Sequence, residues 1–224
     1  MNPMIHLGTA HVPGGVEIRL YQRGDEFMIL LPRDELMSTR MRGSEEQLAV
    51  LTLERLRGNA FPRLLIGGYG MGFTLRAALA AAPRGARLTV AELMPEIIEW
   101  ARGPMTEVTA GCLDDPRVAV EVRDVVDAIA DATGHFDAIL LDVDNGPDGV
   151  VRKENDRLYS AQGLAAQRRA LRPGGVLAVW SAAPDPGFTR RLKAAGFAVE
   201  QITVKARPNG KGPRHTIWFA RKPL

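Results

Sequence analysis

The sequence predicts an α/β protein whose main domain is a doubly wound, mostly parallel sheet of seven strands with an antiparallel hairpin at its edge. From Arg63 onward, short apolar runs alternate with helical patterns, and repeated β-α units build parallel sheets. The run Phe136–Leu141 is nearly all apolar, as expected for a strand covered on both faces. The last two strands are separated only by the loop Ala206–His215, so we expect them to pair antiparallel.

The strands and helices of this domain follow from the same alternation. We expect strands at Leu64–Ile66, Arg87–Ala91, Val118–Val122, Phe136–Leu141, Val176–Trp180, Phe197–Val204 and Thr216–Ala220. We expect helices at Phe73–Ala82, Pro95–Arg102, Val125–Ala130, Leu158–Leu171 and Phe188–Ala195. Pro95 suits the first turn of its helix, because its fixed φ and missing N–H cost nothing there.

Residues 1–43 predict a separate small β-meander. Three extended runs, His6–Ala10, Val16–Tyr21 and Glu26–Leu31, are divided by glycine-containing turns. A connecting helix is expected over residues 44–58, with Ser44 as its N-cap, Gln47 completing a capping box and Gly58 as its stop. The main domain is then residues 44–224.

Composition narrows the class of protein. Of 224 residues, 46% are apolar and 25% charged, which is typical of a globular chain. No apolar run approaches the roughly 20 residues that span a bilayer, and Met1–Gly15 does not resemble a signal peptide, so we expect a cytoplasmic protein with no membrane partner. The lone Cys112 excludes an internal disulfide. The net charge of +3 includes a basic cluster in residues 205–214, which we interpret as a solvated loop, so no nucleic-acid partner is expected.

A glycine-rich turn follows the first strand of the main domain. It contains Gly67, Gly68, Tyr69, Gly70 and Gly72. Glycine adopts positive φ and lets the backbone approach a ligand closely. The spacing G-x-G-x-G lacks the third glycine of a dinucleotide fingerprint, and no Gly-Lys-Ser/Thr follows as in a P-loop. The turn therefore predicts a nucleotide-type cofactor of another kind.

Acidic residues follow the next two strands. Glu92 ends the second strand and could accept hydrogen bonds from ribose hydroxyls, while Asp124 follows the third and could accept from an adenine amino group. The alternatives are a solvated loop end for Glu92 and an N-cap role for Asp124.

The fourth strand ends in a crowded polar turn with Asp142, Asp144, Asn145 and Asp148. An acidic pocket suits a cationic amine, and Asp142 or Asp144 could remove a proton from an ammonium so that nitrogen can attack a carbon on a sulfonium. Neighbouring carboxylates raise one another's pKa, which favours a general base. A purely structural turn is the alternative, because all these residue types favour turns.

Several of these segments resemble the spermidine synthase (polyamine aminopropyltransferase) family within the class I S-adenosylmethionine-dependent methyltransferases. The resemblance is carried by Leu64–Arg76, Val90–Ile98, Asp115–Val118, Arg123–Val125, Phe136–Pro147 and Leu171–Gly175. It implies a Rossmann-like domain that binds S-adenosylmethionine or its decarboxylated form without a metal, and a homodimer. It also implies that Asp142 is the base, that Tyr159 lies near the active site, and that Glu45 contributes to a cap over the substrate pocket together with Arg40, Arg42 and Glu46. The alternative for these four residues is an exposed helix start.

Two departures from the family pattern shape the functional hypotheses. Tyr69 stands where the family's turn has an Asp that helps hold the aminopropyl amine, and residues 40–46 replace a Tyr-Gln pair. These changes favour methyl transfer to a small amine as the first hypothesis and aminopropyl transfer as the second. The third hypothesis is a non-catalytic nucleotide-binding module, and the fourth is a nucleic-acid modifier.

Overall fold

The computed structural model describes residues 2–143 and 156–224, which form eleven strands and eight α-helices. The strands are β1 Ile5–His11, β2 Glu17–Arg23, β3 Glu26–Leu30, β4 Glu35–Ser38, β5 Arg63–Gly67, β6 Arg87–Glu92, β7 Val118–Val122, β8 Phe136–Leu141, β9 Leu171–Ser181, β10 Ala198–Lys205 and β11 Arg214–Arg221. The helices are α1 Gly43–Glu54, α2 Phe73–Ala81, α3 Pro95–Arg102, α4 Thr106–Thr109, α5 Val125–Ala130, α6 Asp156–Tyr159, α7 Ala161–Ala170 and α8 Pro186–Ala194. A 3₁₀ turn spans Cys112–Asp114.

The first four strands form an antiparallel meander in the order β1-β2-β3-β4. The sequence predicts three of them. The fourth, β4, has only four residues and follows a turn, so its alternation is too short to recognise. Side chains of the meander, including Ile18 and Leu20, share one apolar cluster with Leu64 and Ile66 of the main sheet. The meander therefore packs directly against the larger sheet.

The main sheet has seven strands in the order β10-β11-β9-β8-β5-β6-β7. Strands β5 to β9 pair in parallel, and the β10–β11 hairpin pairs antiparallel against β9, which confirms the predicted α/β fold. Strand order reverses between β5 and β8, where Gly67 lies opposite Leu141. A ligand crevice is expected at this switch point, beyond the carboxyl ends of the strands.

Burial explains why the central strands are so apolar. Every residue of β8 is buried, and alternate residues face different cores, Ala138 and Leu140 on one side and Ile139 and Leu141 on the other. Side chains of a strand point to opposite faces in turn, so a strand covered on both sides needs an unbroken apolar run.

Two predicted helices begin differently in the structure. Helix α1 starts at Gly43 with Arg42 before it and no side-chain cap, so the capping box of Ser44 and Gln47 is wrong. Ser44 is buried and bonds to His215 instead. The predicted helix Leu158–Leu171 is interrupted at Ser160, whose hydroxyl accepts from the Gly163 N–H and caps α7.

Candidate functional site

A cavity of about 130 Å³ lies where the carboxyl ends of β5, β6 and β8 meet the meander. Gly68, Gly70, Glu92, Asp124 and Asp142 line it from the side of the main sheet. Apolar side chains of the meander close the opposite side, namely Val12, Ile18, Ile29, Leu36 and Met37. The cavity is therefore mostly apolar, with three carboxylates on its floor, the side of the main sheet, and this is the usual composition of a small-molecule site.

The glycine turn passes close to the end of β8. Gly68 has φ +80°, and a Cβ there would lie 2.8 Å from the Asp142 carbonyl oxygen, so a side chain is excluded on both counts. The Asp142 N–H donates to the Gly67 carbonyl at 3.0 Å, which extends the pairing of β5 and β8 into the turn. Gly67 and Gly72 support this turn without lining the cavity, whereas Gly68 and Gly70 form part of its wall.

Tyr69, predicted to bind the cofactor, turns its side chain away from the cavity. It is only 3% exposed, and its hydroxyl lies 3.4 Å from Cys112 Sγ and against Gly72. Burial raises the pKa of this phenol. The Tyr69 N–H donates to Glu92 Oε2 at 2.8 Å, so this residue acts on the cavity through its backbone.

Glu92 is held rigidly at the end of β6. Its Oε2 accepts from Tyr69 N–H and its Oε1 from Met94 N–H at 2.9 Å, and the residue is 7% exposed. Burial raises the pKa of this carboxyl, and the backbone donors oppose that rise. The backbone of Gly70 and Leu93 also acts on this carboxylate, which lines the cavity.

Asp124 caps a helix and also lines the cavity. Its Oδ1 accepts from the Val126 N–H at 2.9 Å and caps α5, while its Oδ2 lies 3.8 Å from an Arg157 nitrogen. The residue also lines the cavity. The cap fixes the side chain in position without removing it from the wall.

Asp142 lies at the edge of the cavity beside two residues from other elements. The buried Thr74 hydroxyl, in the first turn of α2, donates to Asp142 Oδ2 at 2.7 Å. Burial raises the pKa of Asp142 from 3.8 to about 6, and the Thr74 hydrogen bond opposes the shift. On α1, burial first and the charge of Asp142 second raise the pKa of Glu45 well above its ordinary value. Asp142 is thus a half-buried carboxylate with a pKa suited to a general base.

Tyr159 and the polar turn after β8 were also predicted to belong to the site. Tyr159 is buried in the second apolar core, edge-on to Phe188 with ring centroids 5.4 Å apart, and its role in the substrate site stays a prediction. Asp144, Asn145 and Asp148 lie outside the described residues. Thr74 was not predicted, although its position just after the glycine turn is a usable signal.

Within residues 2–143 and 156–224, no three His, Cys, Asp or Glu side chains are grouped as a metal site. Of the helices in those ranges, none is long and apolar enough to cross a membrane.

Known proteins resemble this chain in sequence and in fold. Residues 56–185 match the family "Spermine/spermidine synthase domain". The polyamine aminopropyltransferase of Mycobacterium tuberculosis is 32% identical over 197 residues, covering 84% of this chain and 36% of the relative. That of Nitrosomonas europaea is 32% identical over 127 residues, covering 57% of this chain and 37% of the relative. The chain thus spans about a third of the length of these curated relatives.

Solved structures give the same fold. The spermidine synthase of Thermotoga maritima superposes with a TM-score of 0.75 at 20% identity, covering 98% of this chain and 73% of that one. A spermidine synthase bound to the transition state analogue AdoDATO gives a TM-score of 0.74 at 19% identity, with the same coverage of both chains. The matched domain, the relatives and the fold agree: this chain belongs to the spermine/spermidine synthase domain family.

Proposed function

We propose that this protein is an aminopropyltransferase that moves an aminopropyl group from decarboxylated S-adenosylmethionine to a cationic amine. The observation that carries the proposal is the position of Asp142, a carboxylate with a raised pKa beside the glycine turn. Membership of the family and the names of the curated relatives favour this hypothesis over methyl transfer, which the sequence departures had placed first.

The residues on the cavity floor suit a nucleoside. Gly68 and Gly70 allow close approach of the backbone, Glu92 presents fixed acceptors for ribose hydroxyls, and Asp124 presents an acceptor for an adenine amino group. The apolar side chains of the meander lie opposite this floor. A low local dielectric strengthens each of these hydrogen bonds.

Asp142 acts on the amine. Decarboxylated S-adenosylmethionine would supply the electrophilic carbon attached to its sulfonium. Asp142 takes a proton from the ammonium of the acceptor, which frees the nitrogen lone pair to form the new C–N bond. The C–S bond breaks as that bond forms, and its electron pair remains on sulfur, so 5′-methylthioadenosine is the leaving group. Thr74 holds the carboxylate of Asp142 in a fixed orientation throughout.

Product analysis tests the proposed function. Purified protein is incubated with decarboxylated S-adenosylmethionine and a panel of linear diamines, and in parallel with S-adenosylmethionine and the same panel. Aminopropyl transfer yields 5′-methylthioadenosine, and methyl transfer yields S-adenosylhomocysteine. The first product alone, lost in Asp142→Asn, supports the proposal. The second product alone would return methyl transfer to first place. A homodimer and a cytoplasmic location remain predictions.

A further inference from the structure

The glycine turn presents no carboxylate to the cavity. Tyr69 stands where the family resemblance places an Asp, and its side chain is buried against Cys112 and Gly72. An ammonium group bound near the turn needs a negative partner, because an unpaired charge in a half-buried site is costly. The compensating charge must come from another element.

Glu45 is positioned to supply that charge. Its backbone carbonyl lies 3.4 Å from the same Thr74 hydroxyl that donates to Asp142, so the start of α1 and the end of β8 meet at one residue. Burial first and the charge of Asp142 second raise the pKa of the Glu45 carboxyl. Glu46 is the other acidic group that acts on Glu45, and it is paired with Arg42 at 2.9 Å.

The start of α1 is fixed by contacts with the far end of the chain. The Gly43 N–H donates to the Ala206 carbonyl at 2.7 Å, and a Cβ on Gly43 would lie 2.6 Å from the backbone of Arg207. The Ser44 hydroxyl and His215 Nδ1 are 2.8 Å apart in a buried hydrogen bond. Burial lowers the pKa of His215, which therefore stays neutral at pH 7. Glu45 is thus held by the residues immediately before it.

We propose that Glu45 and Asp142 together bind a primary ammonium group, Glu45 replacing from α1 the carboxylate that the turn lost at Tyr69. This inference rests on the proposed function, which supplies two such groups, one on the aminopropyl arm of the cofactor and one on the acceptor amine. A cation between two carboxylates removes their mutual repulsion and donates a charge-assisted hydrogen bond to each.

Binding of the cation changes the protonation of the two carboxyls. Because both carboxyls have raised pKa values, the pair holds a proton to a higher pH than two separate carboxyls would. An arriving ammonium favours the fully ionised pair, so it displaces that proton into the buffer. Proton release distinguishes a direct role of Glu45 from a merely structural one.

Calorimetric titration with two ligands tests the inference. Decarboxylated S-adenosylmethionine carries the aminopropyl ammonium, whereas 5′-methylthioadenosine lacks it. We expect Glu45→Gln to weaken binding of the first at least tenfold and of the second less than twofold. The matched control Glu54→Gln, which changes an exposed carboxyl at the other end of α1, should alter neither by more than twofold. Titrations in buffers of different ionisation enthalpy should show proton release by wild type that Glu45→Gln lacks.

Each result of these titrations either supports or overturns the inference. If the cofactor analogues bind Glu45→Gln normally but KM for the acceptor diamine rises at least tenfold with little change in kcat, the bound ammonium is the acceptor's and the inference stands. Equal weakening of both ligands, or no effect on either ligand or on that KM, overturns it. Wild-type protein that binds neither ligand overturns the proposed function itself. Thermal unfolding of each variant confirms that it is folded.

Discussion

The N–H of Tyr69 donates to Oε2 of Glu92 at 2.8 Å, so the backbone of the glycine turn orients the carboxylate that faces the cavity. The same residue places its phenol in the core beside Cys112. One position therefore links the turn, β6 and the interior. The site depends on backbone geometry as much as on its acidic side chains.

Asp142→Asn should abolish most turnover and leave the fold intact. Asparagine can still accept the Thr74 hydrogen bond but cannot take a proton, and loss of a general base costs about 10²–10⁴-fold in rate. Initial rates at saturating substrate measure this. A variant that keeps more than a tenth of wild-type kcat would show that Asp142 is not the base.

The same variant should be at least as stable as wild type at pH 7. The folded-state pKa of Asp142 is raised to about 6, so ionising it as pH rises from about 4 to 6 destabilises the fold. One pKa unit corresponds to about 1.4 kcal/mol, which sets the gain in free energy of unfolding at no more than about 3 kcal/mol. Denaturant unfolding at pH 4 and pH 7 measures this difference. A variant that is less stable than wild type at pH 7 contradicts the assignment.

Activity should rise with pH through about 6 and then level off. Asp142 accepts a proton only when ionised, and burial has moved its pKa into this range. The measurement is kcat/KM across pH 5 to 8 at constant ionic strength. A profile that is flat from pH 5 upward would indicate a base with an ordinary carboxyl pKa.

Gly68→Ala should impair both stability and ligand binding. Alanine would be strained at φ +80°, and its Cβ would meet the Asp142 carbonyl oxygen at 2.8 Å. Gly210→Ala is a matched control, because Gly210 has φ +74° with nothing within 4 Å of a Cβ. We expect the control to cost about 1 kcal/mol and Gly68→Ala clearly more. Equal losses of free energy of unfolding would argue against the close approach.

Ser44→Ala should destabilise the protein by about 1–3 kcal/mol, because it leaves the buried His215 Nδ1 without its partner. Thr9→Val deletes a hydroxyl that bonds to His6 in an exposed place, and it should cost under about 0.5 kcal/mol. Chemical denaturation of both variants provides the comparison. Similar small losses would show that the Ser44–His215 bond does not hold α1.

The fold and the cavity floor could be predicted because they follow from local patterns and sheet topology. Parallel strands bring their carboxyl ends to one edge, so Gly68, Glu92, Asp124 and Asp142 had to converge there. The direction of the Tyr69 side chain depends on the φ values of its neighbours, which the sequence does not reveal.

Other features depend on distant parts of the chain. Ser44 and His215 are 171 positions apart, and the sequence around Ser44 favours an N-cap instead. Tyr159 is of a residue type that is common in binding sites, but its ring packs against Phe188 in the core. Tertiary contacts determine where these side chains lie, and local periodicity carries no information about such contacts.

The proposal that the decarboxylated cofactor is the aminopropyl donor is tested most directly by calorimetric titration with S-adenosylmethionine and its decarboxylated form, side by side. We expect the decarboxylated form to bind at least tenfold more tightly, because the carboxylate of the intact cofactor would meet Asp142 and Glu45. Tighter binding of intact S-adenosylmethionine would contradict aminopropyl transfer and point to a methyl donor.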